Sequence, residues 1–116
     1  MFESIVTIGD KLHVLTRPLF EGDLSGHFVG AVVGNTGSLC ELEGFAIAYD
    51  AGRREWLRQE EVRRRIVSLA DAGHVVTRLP RDIEIDDLHY DRVNGELLLT
   101  DGKEFELNLG EPRPTK

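Results

Sequence analysis

The sequence predicts a mainly β protein: an antiparallel, partly open barrel or sandwich built from hairpins, with at most one or two short helices. One observation is that β-rich runs recur along the chain between glycine-containing turns. Another is that two favoured hairpin dipeptides, Asn94-Gly95 and Asp101-Gly102, lie close together near the C-terminus. A third is that the apolar positions of residues 39–49 change parity at Glu43-Gly44, as a β-bulge would produce.

The size of the chain fits one domain. It has 116 residues, of which 41% are hydrophobic and 30% charged, close to the globular average. We predict a single β-rich domain over residues 1–110 and a disordered tail at 111–116, where two prolines and several charges preclude regular structure. A domain this small leaves much of its surface in water, so association with copies of itself would bury more of it.

The first half of the chain predicts two hairpins. Residues 5–8 and 11–16 are β-rich and flank Gly9-Asp10, which suits a two-residue turn. Residues 28–33 and 38–49 flank a glycine-rich turn at 34–37. The expected bulge at Glu43-Gly44 would bend the second arm of this hairpin, as a curved sheet requires.

Residues 55–79 allow two interpretations. At period two, residues 63–69 and 74–79 are antiparallel strands joined by a turn at 70–73. At helical spacing, Val62, Ile66 and Leu69 form an apolar stripe, and the fold would then be α+β with a helix at about 58–72. The β-rich flanks favour the strands, and the helix stays an alternative.

The C-terminal region predicts a meander with a defined register. A turn at Asn94-Gly95 places Tyr90 opposite Leu99, and a turn at Asp101-Gly102 places Leu99 opposite Glu104. Leu97, Leu98 and Leu99 are consecutive, so both faces of their strand are apolar. We expect a second sheet to cover one face and a helix or another subunit to cover the other.

Charge is unevenly distributed along the chain. The formal net charge is −7, yet residues 51–81 carry eight basic against four acidic side chains, whereas residues 82–111 carry two against ten. Arg63, Arg64 and Arg65 are the predicted contacts to an anionic partner. That partner is the protein's own carboxylates, an acidic patch of a neighbouring subunit, or nucleic acid, and the net charge disfavours nucleic acid.

The sequence predicts no catalytic residue, no cofactor and no metal site. His13, His27, His74 and His89 lack the paired spacing of a metal site and are expected at the surface or rim of the sheets. The acidic residues between 82 and 91 alternate with apolar ones, which is typical of a solvated strand face.

Cys40 is expected to be an inert, buried thiol, and as a single cysteine it excludes an intramolecular disulfide. No apolar run approaches the ~18 residues of a membrane span, and residues 1–14 do not resemble a signal peptide. We therefore expect a cytoplasmic protein that does not contact a membrane.

Three segments, at 27–30, 44–50 and 65–69, resemble a small uncharacterised bacterial protein family. The resemblance implies no activity and no residue role.

The leading functional hypothesis is a non-enzymatic β domain that acts as a binding or assembly module. It would self-associate into a homo-oligomer and could bind a protein partner. One alternative is a nucleic-acid-binding regulator that uses the basic cluster at 53–65. The other is a metal-dependent enzyme built on the histidines and nearby carboxylates, for which perturbed histidine titrations are expected. The sequence leaves the question of enzymatic activity open, with the balance against it.

Overall fold

The computed structural model describes residues 5–16, 26–70 and 73–109, and these form antiparallel strands with one short 3-10 turn. The mainly β fold class is confirmed. The predicted tail at 111–116 lies outside the described residues. The strands are β1 (Lys11–Thr16), β2 (Gly26–Thr36), β3 (Leu39–Asp50), β4 (Glu55–Arg58), β5 (Arg63–Ser68), β6 (His74–Leu79), β7 (His89–Val93), β8 (Glu96–Thr100) and β9 (Glu106–Asn108), and the 3-10 turn is Ile85–Asp87.

Six strands form the first sheet, in the order β4-β3-β2-β1-β6, with β5 also paired to β3. β4 and β5 lie one after the other along the same edge of β3. The second sheet has three strands in the order β7-β8-β9. Within the described chain, no helix is long and apolar enough to cross a membrane.

Each face of the first sheet carries its own core. On one face, side chains from β1, β2, β3 and β5 form the first core, against which Leu69 and Val76 also pack. Because strands from both borders of the sheet, β5 and β6, contribute to it, the sheet curls around this core. β5 and β6 are nevertheless not paired with each other in the described chain. The fully buried members of the first core are Leu12, Val32, Cys40 and Leu42.

The opposite face of the first sheet packs on the second sheet, as in a sandwich. The second core combines Val29, Phe45 and Ile47 of the first sheet with Leu88 and Leu99 of the second. A covered face on each side of the first sheet explains why the strand at 28–33 is apolar at consecutive positions. In β8 of the second sheet, Leu97 and Leu99 belong to the second core, whereas Leu98 belongs to neither of the two cores.

The parity change at Glu43-Gly44 has a different cause from the predicted one. The pairing of β2 with β3 is continuous there, so the predicted bulge in β3 is wrong; the irregularity lies in β2, between Val32 and Gly34. Cys40 and Leu42 face the first core, whereas Phe45 and Ile47 face the second. The side chains alternate regularly, and it is the covered face that changes along the strand.

Gly30 and Gly44 allow β2 and β3 to approach closely where the covered face changes. They are direct partners across the two strands. A Cβ on Gly44 would lie 1.9 Å from the carbonyl oxygen of Val29 and 2.5 Å from the Cα of Gly30. Only glycine fits at this position.

Two of the predicted hairpins are wrong. Residues 5–8 form a turn and not a strand, because the Asp10 carboxylate accepts the Thr7 amide at 2.9 Å and closes the chain on itself. β5 and β6 are the predicted strands, which excludes a helix over the described part of 58–72. They pair with β3 and β1, however, and not with each other.

The C-terminal meander is confirmed for one turn and corrected for the other. Tyr90 lies opposite Leu99, as the Asn94-Gly95 turn predicts. Leu99 lies opposite Leu107 and not Glu104. The reason is that the Asp101 carboxylate accepts the amides of Lys103 and Phe105, at 2.8 and 3.2 Å, and so builds a longer loop.

Candidate functional site

A buried polar cluster lies between the two sheets. His13 alternates in β1 with Leu12 and Val14, which face the first core, so the imidazole points to the second sheet. His27 of β2 faces the same way, and Tyr90 comes from β7 opposite them. We call His13, His27 and Tyr90 the His-Tyr-His cluster. Trp56 of β4 packs beside it, with its ring centroid 4.5 Å from that of His27 and 5.5 Å from that of Tyr90.

One hydroxyl group joins the three side chains. The Oη atom of Tyr90 lies 2.7 Å from Nε2 of His13 and 2.5 Å from Nδ1 of His27. The hydroxyl has a single proton, so it donates to one imidazole and accepts the N–H of the other. Two neutral rings are therefore the same tautomer, both with the proton on Nδ1 or both with it on Nε2, and Tyr90 links β1 and β2 to the second sheet.

Burial keeps this cluster uncharged. It lowers the pKa of His13 to about 4, with a smaller contribution from the neighbouring His27. It also lowers the pKa of His27 and raises that of the Tyr90 hydroxyl. At neutral pH the cluster thus consists of two neutral imidazoles and a protonated phenol. It can pass a proton along its hydrogen bonds, but its three residues are at most 8% exposed, so a substrate has little access to it.

The structure corrects the expected surface location of two histidines. His13 and His27 are buried and converge, whereas His89 is exposed and His74 contacts the Thr16 hydroxyl at 3.1 Å. In the described ranges, no three His, Cys, Asp or Glu side chains come close enough together to hold a metal ion. Cys40 is buried in the first core, and burial raises the pKa of its thiol.

The predicted anionic contacts lie on β5, at the edge of the first sheet. Arg64 pairs with Glu43 at 3.0 Å and with Glu41 at 3.8 Å, both on β3. Arg63 pairs with Glu61 at 3.3 Å, and the Arg65 guanidinium lies 5.0 Å from the centre of the Phe28 ring.

Arg58, also in the basic region, holds the two sheets together. Its guanidinium lies 4.5 Å from the centre of the Phe45 ring and donates to the carbonyl oxygen of Leu88 at 3.1 Å. The Arg58 guanidinium therefore already has partners within the chain, whereas Arg63, Arg64 and Arg65 are exposed.

An apolar strip lies beside these arginines. Ile66 of β5 is 69% exposed and Leu39 of β3 is 49% exposed. Ile66 pairs with Glu41, two residues from Leu39, so both side chains lie on the same face of adjacent strands. They border a shallow groove of about 280 Å³ that also contacts Asn35. The second sheet does not cover this end of β3.

The acidic region forms a separate cleft of about 590 Å³ between the 3-10 turn and the loop at 101–105. Asp82, Glu84 and Glu104 line it, together with Lys103, which pairs with Asp87 at 3.2 Å. Of the acidic residues predicted on a solvated strand face between 82 and 91, only Asp91 lies in a strand, because residues 85–87 form the 3-10 turn.

No family model, curated protein or solved structure matches the chain. The geometry of its own residues is therefore what supports a function.

Proposed function

We propose that the protein is a non-enzymatic assembly module that self-associates through the uncovered end of its first sheet. The observation that carries the proposal is the apolar strip of Leu39 and Ile66, which the second sheet leaves in water. Covering apolar surface contributes about 25 cal/mol per Å², so two such side chains favour a partner. Arg63, Arg64 and Arg65 border the strip and would contact carboxylates of that partner.

Two features weigh against the alternative functions. The net charge is −7, which disfavours a nucleic-acid partner. The His-Tyr-His cluster is buried, hydrogen-bonded and neutral, which fits a structural role better than acid-base catalysis at a substrate site.

Light scattering coupled to size-exclusion chromatography tests this proposal. We expect an absolute mass greater than that of one chain, increasing with protein concentration. Replacing Leu39 and Ile66 together by serine should weaken the association tenfold or more, since every 1.4 kcal/mol lost is a factor of ten. Val93→Ser is the matched control, because Val93 is also exposed but lies in the second sheet. A wild-type protein that stays monomeric at all concentrations would contradict the proposal.

A further inference from the structure

The border between β4 and β5 is an outward bulge of the sheet edge. Arg58 pairs with Ile47 and Arg63 with Gly44, so the four residues 59–62 lie opposite only two residues of β3. The amide of Gln59 still donates to the carbonyl oxygen of Ala46, at 2.8 Å. Because four residues occupy the length of two, the segment projects beyond the edge. Val62 within it is 58% exposed.

The charges on either side of Val62 are of opposite sign. Glu60 and Glu61 precede it, and Arg63 and Arg64 follow it. In residues 60–64, the charges are therefore opposite at equal distances before and after Val62. A second copy running in the opposite direction therefore presents the complementary charge at each of these positions.

Two-fold symmetry makes use of such a pattern. In a two-fold dimer, residue i of one chain meets residue j of the other, and j meets i. With the axis at Val62, the two Val62 side chains meet, Glu61 meets Arg63, and Glu60 meets Arg64. Each of these pairs joins opposite charges, and the two-fold axis forms each of them twice.

We propose that two copies of the chain associate edge to edge about a two-fold axis at Val62, with Glu60 and Glu61 of each copy paired to Arg64 and Arg63 of the other. This inference rests on the proposed self-association and specifies its interface. In the described structure β5 pairs only with β3, so its outer edge is open to the second copy.

The present contacts of these arginines are compatible with such an exchange. The bonds of Arg63 to Glu61 and of Arg64 to Glu41 and Glu43 join exposed or half-exposed side chains, and the exposed Glu60 lies 3.9 Å from the Arg58 guanidinium. Ion pairs between exposed side chains contribute little to stability. Replacing an intrachain carboxylate by one from the second copy therefore costs little, whereas four pairs and a Val62 contact form together.

Two double charge reversals test this interface. E60R/E61R makes the segment basic on both sides of Val62, and R63E/R64E makes it acidic on both sides. We expect each variant alone to lose association at least tenfold, because like charges then meet across the axis. An equimolar mixture of the two should recover a dimer of mixed composition, and the variant that carries all four changes should associate like the wild type.

R53E/R54E is the matched control, since it reverses two exposed arginines in the turn before β4 and should leave the mass unchanged. Circular dichroism checks that each variant is folded, and recovery in the mixture cannot come from a damaged fold. Double variants that associate as the wild type does, or a mixture that stays monomeric, would overturn this interface while leaving self-association intact. A monomeric wild type would overturn the proposed function itself.

Discussion

The Tyr90 hydroxyl makes two buried hydrogen bonds between the two sheets. Its Oη accepts from one buried imidazole and donates to the other, so each of the three side chains has a polar partner inside the core. Unpartnered, each buried polar group would cost about 1–3 kcal/mol. The cluster thus fixes how the second sheet sits on the first, and it does so only while both imidazoles are neutral.

The stability of the fold should therefore depend on pH through His13. Its pKa is lowered from 6.5 to about 4 on folding. Between these two values the unfolded chain binds a proton that the folded chain excludes, so stability falls as pH decreases from about 6.5 to 4. At 1.36 kcal/mol per pKa unit, the loss from this residue is about 3 kcal/mol.

Urea unfolding at pH 7, 5.5 and 4.5 measures this effect. His13→Gln should flatten the dependence in that interval while keeping a side chain that can hydrogen-bond to Tyr90. His89→Gln, at an exposed position outside the cluster, should retain the wild-type dependence. An H13Q protein with an unchanged pH slope would contradict the assignment.

This cluster shows why the candidate site was beyond prediction from the sequence. His13, His27 and Tyr90 come from three strands, and the packing of β7 over β1 and β2 leaves no local sequence pattern. The signal that was present is that His13 stands between Leu12 and Val14 in a strand with apolar residues on both faces. Leu15 shares the face of His13, so that face is apolar as well and His13 is buried once the face is covered, whereas the prediction placed it at the surface.

At the scale of single elements, local chemistry decided which predictions succeeded. The Asn94-Gly95 turn determined its register because a two-residue turn leaves one pairing available. The prediction from Asp101-Gly102 failed because the Asp101 carboxylate accepts hydrogen bonds from two later backbone amides, which makes the loop longer. β5 and β6 were correctly predicted as strands, but their partners were not, since pairing with β3 and β1 depends on the whole sheet.

The close pairing of Gly30 in β2 with Gly44 in β3 should be the contact least tolerant of an added methyl group. Gly44→Ala places a Cβ within 2 Å of a backbone oxygen, and backbone has little room to shift. We expect a loss of about 3 kcal/mol or more in the free energy of unfolding, measured by chemical denaturation. Gly34→Ala is the control, because a Cβ there finds its nearest neighbour at 4.0 Å. Equal stabilities of the two variants would contradict the close approach.

At the scale of the whole molecule, the two cores share the same strands. β3 gives Cys40 and Leu42 to the first core and Phe45 and Ile47 to the second, and β2 likewise contributes to both. Neither core can therefore lose its strands without exposing the other. We expect one cooperative unfolding transition, as is usual for small domains.

Leu42→Ala tests this coupling. Leu42 is fully buried in the first core, so its truncation should destabilise the protein by about 2–5 kcal/mol. Trp56, the single tryptophan, packs against the second core, so its fluorescence reports the unfolding of that core. The fluorescence transition should shift to lower denaturant together with the far-ultraviolet circular dichroism transition. A tryptophan signal that stays at the wild-type midpoint would indicate two independent units.

The position of β1 has a consequence for the order in which a newly made chain acquires its structure. β1 is an interior strand, yet its neighbours are β2 and β6, and Lys11 pairs with Leu79. On a ribosome, β2 and β3 can pair as soon as residue 50 has emerged, but one side of β1 stays open until residue 79 follows. Tyr90 comes later still, so His13 and His27 wait without their shared hydroxyl until most of the domain has been synthesised. Contacts this distant in sequence are slow to form, so an open strand edge is exposed to wrong partners for longest at β1.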